Sequence, residues 1–115
     1  MIDMALASIR SRLLDISTVL VSIPGLSVGH YKNFKKNGDY CVWAEDMEPD
    51  RVSADNRKEI QNLQGTIDFF TRTEYNPLID AIQDALNEAR ISFFLNSVQY
   101  EDATGFIHYE WVFEV

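Results

Sequence analysis

Three carboxylates stand two residues apart in Asp46-Met47-Glu48-Pro49-Asp50. A calcium loop begins with this spacing, because alternate side chains can converge hard oxygens on one cation. The pattern then fails. Arg51 stands where the sharp turn needs Gly, and Arg57 stands at the twelfth position in place of Glu. Pro49-Asp50 followed by Asp55-Asn56-Arg57 holds the carboxylates of a metal-dependent nuclease, but Lys58 is out of place and the surroundings are acidic where a phosphate would need positive charge. The two histidines, His30 and His108, have no Ser, Cys or carboxylate at a spacing that spells a triad or a ligand set, so both are expected as surface strand residues. Cys41 lacks a basic neighbour that would lower its pKa and is expected as a small strand residue. There is no Gly-rich phosphate loop. The expectation is therefore no catalytic set, no metal set and no cofactor. Asp46, Glu48, Asp50 and His108 are what an enzyme reading would have to use.

Charge offers a different kind of chemistry. Lys32, Lys35 and Lys36 form a basic cluster, and Glu45, Asp46, Glu48 and Asp50 an acidic one. Either cluster reads as a solvated surface. Together they also fit a head-to-tail contact between copies, in which each subunit shows a different face to each neighbour and assembly is salt-sensitive.

The elements that must position these residues follow from periodicity. Ile2, Leu6, Ile9, Leu13, Ile16 and Leu20 step by threes and fours, which predicts a helix over 3–21 closed by Ile23-Pro24-Gly25. The same narrow stripe would serve as a coiled-coil seam, although packing on a sheet is the commoner use. Asn37-Gly38 between two short β-rich runs predicts a hairpin, 27–34 with 39–46. A long acidic loop is expected over 45–57. Residues 58–71 regain strand character, with Ile67 and Phe69 on one face, Thr66, Asp68 and Phe70 on the other, and Gly65 as a candidate bulge. Asn76-Pro77 opens a second helix over 77–90, with Leu78, Ile82, Ala85, Leu86 and Ala89 inward. The last 24 residues predict a hairpin turning at Asp102-Ala103-Thr104-Gly105. In its final strand Tyr109, Trp111 and Phe113 face one way, and Phe106, His108, Glu110 and Val112 the other. The order α-β-β-β-α-β-β predicts an α+β domain, an antiparallel sheet of about five strands with both helices on one face. One of each doublet, Phe69-Phe70 and Phe93-Phe94, must then face away from the helices, leaving Phe70 and Phe94 for a subunit contact.

Composition bounds the rest. The 115 residues carry 18 Asp+Glu against 10 Lys+Arg, a formal charge of −8. That argues against tight nucleic-acid binding, which needs clustered cations. One Cys excludes an intrachain disulfide and a Cys-based zinc site. The longest apolar stretch falls far short of the ~20 residues of a membrane span, and Met1–Arg10 has no basic start, so neither a membrane segment nor a signal peptide is expected. Composition thus predicts one acidic cytosolic domain.

The leading helix, the 39–45 strand, Gly65-Thr66-Ile67-Asp68-Phe69-Phe70-Thr71, the Asn76-Pro77 helix and above all the terminal run Gly105-Phe106-Ile107-His108-Tyr109-Glu110-Trp111-Val112-Phe113-Glu114-Val115 together resemble the tail terminator (tail completion) proteins of long-tailed bacteriophages. The likeness covers nearly the whole chain. It implies a non-enzymatic virion protein, present in the host cytoplasm during assembly. It implies a homo-oligomeric ring, usually of six copies, that caps the tail tube and offers a surface to the head connector. DNA would pass through without specific binding, and negative walls suit such a conduit. The family works through surfaces, so no functional residue carries over singly. The near alternative is another head–tail joining or minor tail component of similar α+β build, and alternatives of other classes are a small enzyme and a monomeric acidic binding module that mimics DNA.

Overall fold

The computed structural model describes residues 8–33, 38–49 and 61–115. It is an α+β domain, ordered α1 (Ile9–Val21), β1 (Val28–His30), β2 (Tyr40–Met47), β3 (Gln64–Thr71), α2 (Leu78–Glu88), β4 (Ser92–Glu101) and β5 (Phe106–Glu114). One five-stranded sheet runs β1-β2-β3-β5-β4.

The sheet is mixed, which corrects the antiparallel expectation. β2–β3, β3–β5 and β5–β4 pair antiparallel, but β1 pairs with β2 in parallel, Val28 opposite Cys41 and His30 opposite Trp43. The reason lies just after β1. Tyr31 takes a positive φ of 67° and reverses the chain. The backbone then doubles back over Gly29, where a Cβ would sit only 1.9 Å from the Lys32 carbonyl oxygen. Buried Asn33 is tied beside Ser27, donating to its Oγ at 3.0 Å and to the Cys41 carbonyl at 3.2 Å. The return therefore occurs before the expected Asn37-Gly38 turn. Lys35, Lys36 and Asn37 lie outside the described residues.

Ser8 caps α1, its Oγ accepting the Ser11 N–H at 3.0 Å, and the first part of the expected 3–21 helix lies outside the described residues. At the start of α2, Asn76 Oδ1 accepts the Leu78 N–H at 2.9 Å, while Pro77 in the formal cap position offers no side-chain bond. The two helices cover one face of the sheet. Ile16 and Leu20 from α1 and Ile82 and Leu86 from α2 pack with Trp43, Ile67, Phe69, Trp111 and Phe113. Each such side chain contributes about 1.5–3 kcal/mol of transfer free energy before entropy. Two residues assigned to the inner stripes, Ile9 and Ala89, are exposed instead, Ile9 as the first residue of α1 and Ala89 as the C-cap of α2.

The acidic segment is also corrected. Glu45 and Asp46, which the expected 39–46 strand and the expected 45–57 loop both claimed, are strand, and Met47 with them ends β2; Asp50 lies outside the described residues. Gly65 is not the bulge. The extra residue is Asp46 on the facing strand, where the register shifts between Glu45 and Met47. Gly65 is needed because a Cβ there would meet the Ala44 carbonyl at 2.2 Å and the Phe113 ring at 2.6 Å. The terminal hairpin forms as expected, with Gly105 at φ 77° closing its turn onto the Glu101 carbonyl at 2.8 Å. Val115 extends the pairing through reciprocal backbone bonds with Leu63.

Candidate functional site

The helices leave the other face of the sheet open. Strand alternation and register bring Tyr40 of β2, Thr66, Asp68 and Phe70 of β3, Phe106, His108 and Glu110 of β5, and Phe94 of β4 onto it. The doublets split as expected. Phe69 is buried among the helices and Phe93 packs against the same core, while Phe70 and Phe94 face outward.

An aromatic column crosses three strands of this face. The Phe70 ring stacks on Tyr40 at 4.6 Å and on His108 at 4.2 Å. Phe106 stands edge-on to Tyr40 and Phe70, and the Arg72 guanidinium lies 3.8 Å over it. Arg72 is fixed in turn by donating from Nε to the Thr104 carbonyl at 2.9 Å. Burial within this column, with the charge of Glu101 beside it, raises the Tyr40 phenol above its ordinary value against the opposing pull of Arg72.

Next to the column is a cluster of ionisable groups. His108 Nε2 lies 2.6 Å from Asp68 Oδ1, and its Nδ1 lies 3.7 Å from Glu101 Oε2. Asn96 donates from Nδ2 to Glu110 Oε1 at 2.7 Å. Asp68 and Glu110 face each other directly across β3 and β5. One ligand-capable atom from each of Asp68, His108 and Glu110 lies within 4.8 Å of the others, and this is the one such group among the described residues. Burial pushes the Asp68 carboxyl above the ordinary carboxylate range, aided by the charge of Glu110 and opposed by the His108 hydrogen bond.

A second histidine cluster sits on the helix side, at the β1 edge. His30 stacks on Trp43 at 3.9 Å and on Tyr31 at 3.9 Å. Its Nε2 lies 2.6 Å from Glu45 Oε1, and the Tyr31 hydroxyl donates to Glu45 Oε2. Burial pushes the Glu45 carboxyl up, but the bonds from Tyr31 and His30 outweigh it and hold the group below its ordinary value. The same bond, seen from the other side, raises Tyr31. His30 and Trp43 line an apolar cavity of about 380 Å³ with Ile9, Leu13 and Leu14 of α1.

The residues singled out in the sequence are dispersed by this arrangement. Glu45 is committed within its own chain to His30 and Tyr31. Asp46 is exposed at the bulge, Glu48 is half-buried beyond the strand and Lys32 is exposed beside the β1 edge. Lys35, Lys36 and Asp50 lie outside the described residues. Cys41 is fully buried on the helix side, and burial together with the Asp68 charge pushes its thiol up to about 12, so it is the inert strand residue expected. Neither histidine is the plain surface residue expected, since each holds a carboxylate. The missing signal was partly present. Asp68 and the His108–Glu110 pair both read as outward-facing, but nothing local says that β3 and β5 are neighbours.

No protein-family model and no curated protein matches the chain. No helix among the described residues is long and apolar enough to cross a membrane.

Proposed function

We propose that the chain is a structural assembly protein of the tail-terminator type, self-associating into a ring that caps a phage tail tube and offers a joining surface to the head connector. The observation that carries this reading is the outer edge of the sheet. β4 is ten residues long, pairs on one side with β5, and is the last strand in the order. Four large apolar side chains along it stand open: Phe94 57%, Leu95 46%, Val98 49% and Tyr100 65%. Phe94 projects from the open face, among Ser92, Ser97, Gln99 and Glu101, while Leu95, Val98 and Tyr100 project from the helix side, so the apolar part of the edge lies mainly on the helix-side flank. A long apolar edge strand is a template for association, and proteins that remain single copies blunt such edges with charges, proline or brevity. At the opposite end of the sheet β1 has only three residues. A ring follows where the β4 edge meets a different surface of the next copy, because a heterologous contact whose rotation closes gives a ring.

The test is to mix the chain with its tail-tube protein and measure tube lengths by electron microscopy, alongside sedimentation of the chain alone and with the tube. Capped tubes and a ring-sized species are expected. The Leu95→Lys/Val98→Lys double variant should keep its circular dichroism and lose both. Tubes that elongate unchanged, with the chain sedimenting as a monomer in their presence, would end the reading.

A further inference from the structure

We propose that Asp68, His108 and Glu110 form a binding site for a first-row divalent transition-metal ion, with zinc the best chemical match, clamping β3 to β5 on the open face of the sheet. This does not depend on ring formation.

The first support is the pairing. Asp68 and Glu110 are directly opposite in an antiparallel ladder, where like charges repel, and among the described residues neither is paired with a Lys or Arg. His108 lies two residues from Glu110 on the same face and reaches Asp68 diagonally. A cation in the space between His108 Nε2 and the two carboxylates would relieve that repulsion. The second support is the donor set. One imidazole and two carboxylates suit zinc, cobalt or nickel better than calcium or magnesium, which favour oxygen alone. Donor atoms around a tetrahedral zinc lie about 3.4 Å apart, given metal–ligand distances near 2.1 Å. The three donors lie within 4.8 Å of one another, and the 2.6 Å contact between His108 and Asp68 would open to admit the ion while Glu110 draws in.

The third support is that two of the ligands already have a partner outside the set. Glu101 Oε2 stands 3.7 Å from the far nitrogen of His108. Asn96 donates to Glu110 at 2.7 Å. Glu101 is itself fixed by the Thr104 hydroxyl at 3.1 Å. A carboxylate behind a histidine, with a further donor behind a ligating carboxylate, is the outer arrangement that metal sites require. Three protein ligands leave one position for water or for a group from outside the chain.

The test is calorimetric titration of the metal-free full chain with zinc chloride, and with cobalt chloride read by visible absorption. We expect saturable binding of one ion per chain and a higher melting temperature with zinc. His108→Gln and Glu110→Gln should each weaken binding more than tenfold and abolish the melting shift, and Glu101→Gln should weaken it roughly tenfold. Glu48→Gln/Asp50→Asn should bind as the unaltered chain does, which separates this site from the acidic segment. Absence of saturable binding at millimolar zinc, or unchanged affinity in His108→Gln with its circular dichroism preserved, would overturn the proposal. If His108→Gln does not fold, Asp68→Asn replaces it, with the same loss of affinity expected and unchanged affinity overturning the site.

Discussion

His30 and His108 hold a carboxylate at the same distance, 2.6 Å, yet the two sites behave in opposite ways. Glu45, beside His30, meets donors only: the imidazole and the Tyr31 hydroxyl. Its ionised form is stabilised and its pKa falls. Asp68, beside His108, is pushed up chiefly by desolvation, and the second carboxylate across the ladder adds to it, so its pKa rises. A histidine–carboxylate contact is thus not one kind of interaction. Its sign depends on whether the donors around the carboxylate outweigh its desolvation, and a neighbouring anion tips the balance further. The first site is satisfied within the chain, and the second has negative charge to spare.

The platforms beneath the two imidazoles separate the sites most strongly. Trp43, under His30, is buried in the main core, and Trp43→Ala should cost about 4 kcal/mol in urea unfolding. Phe70, under His108, is half-exposed, and Phe70→Ala should cost about 2 kcal/mol. Equal losses would mean that the open-face column is as much a core as the helix side.

A smaller and sharper contrast comes from neutralising each carboxylate, measured with chelator present. Glu45→Gln should destabilise by about 1 kcal/mol at pH 7, because two bonds to a charged acceptor weaken at a partly exposed site. Asp68→Asn should be neutral or stabilising, since it removes a charge that its surroundings disfavour. The pH dependence has matching signs. Glu45 contributes stability that is complete above the ordinary carboxylate pKa of about 4.3 and is lost as pH falls through its lower folded value. Asp68 contributes a penalty that is complete above its raised folded pKa and fades as pH falls toward the ordinary value of about 3.9. Glu45→Gln should therefore flatten the acid limb of the stability profile, and Asp68→Asn should steepen it. The same direction of change in both would break the contrast.

The smallest effect concerns Tyr31. Tyr31→Phe removes one donor to Glu45 and should leave the urea midpoint essentially unchanged, as expected for an exposed position. It should move the Glu45 titration, followed by NMR, upward toward the ordinary carboxylate value.

Much of the fold was legible because its signals are local. The 3–4 stripe of Ile16 and Leu20, the Asn76-Pro77 helix start and the Gly105 turn each act within a few residues. The splitting of Phe69 from Phe70 and of Phe93 from Phe94 follows from the pleat alone. The parallel β1–β2 pair was not legible. Asn37-Gly38 is a strong hairpin signal, but the reversal that matters is Tyr31 folding back over Gly29, and a residue such as tyrosine gives no warning that it will adopt a positive φ. Nor was the end of β2 legible: Glu45 and Asp46 fall both in the strand over 39–46 and in the loop over 45–57, and the bulge at Asp46 depends on the strand it faces.

The amino-acid order by itself determined most of which segments are helix or strand and which of their side chains face in or out. The tertiary structure alone decided that Asp68 and His108, forty positions apart, share a hydrogen bond, and that Asp68 stands opposite Glu110. The physical reason is that alternation fixes the face of a strand from its own residues, whereas its neighbour is chosen by how the whole sheet buries its apolar side beneath the two helices.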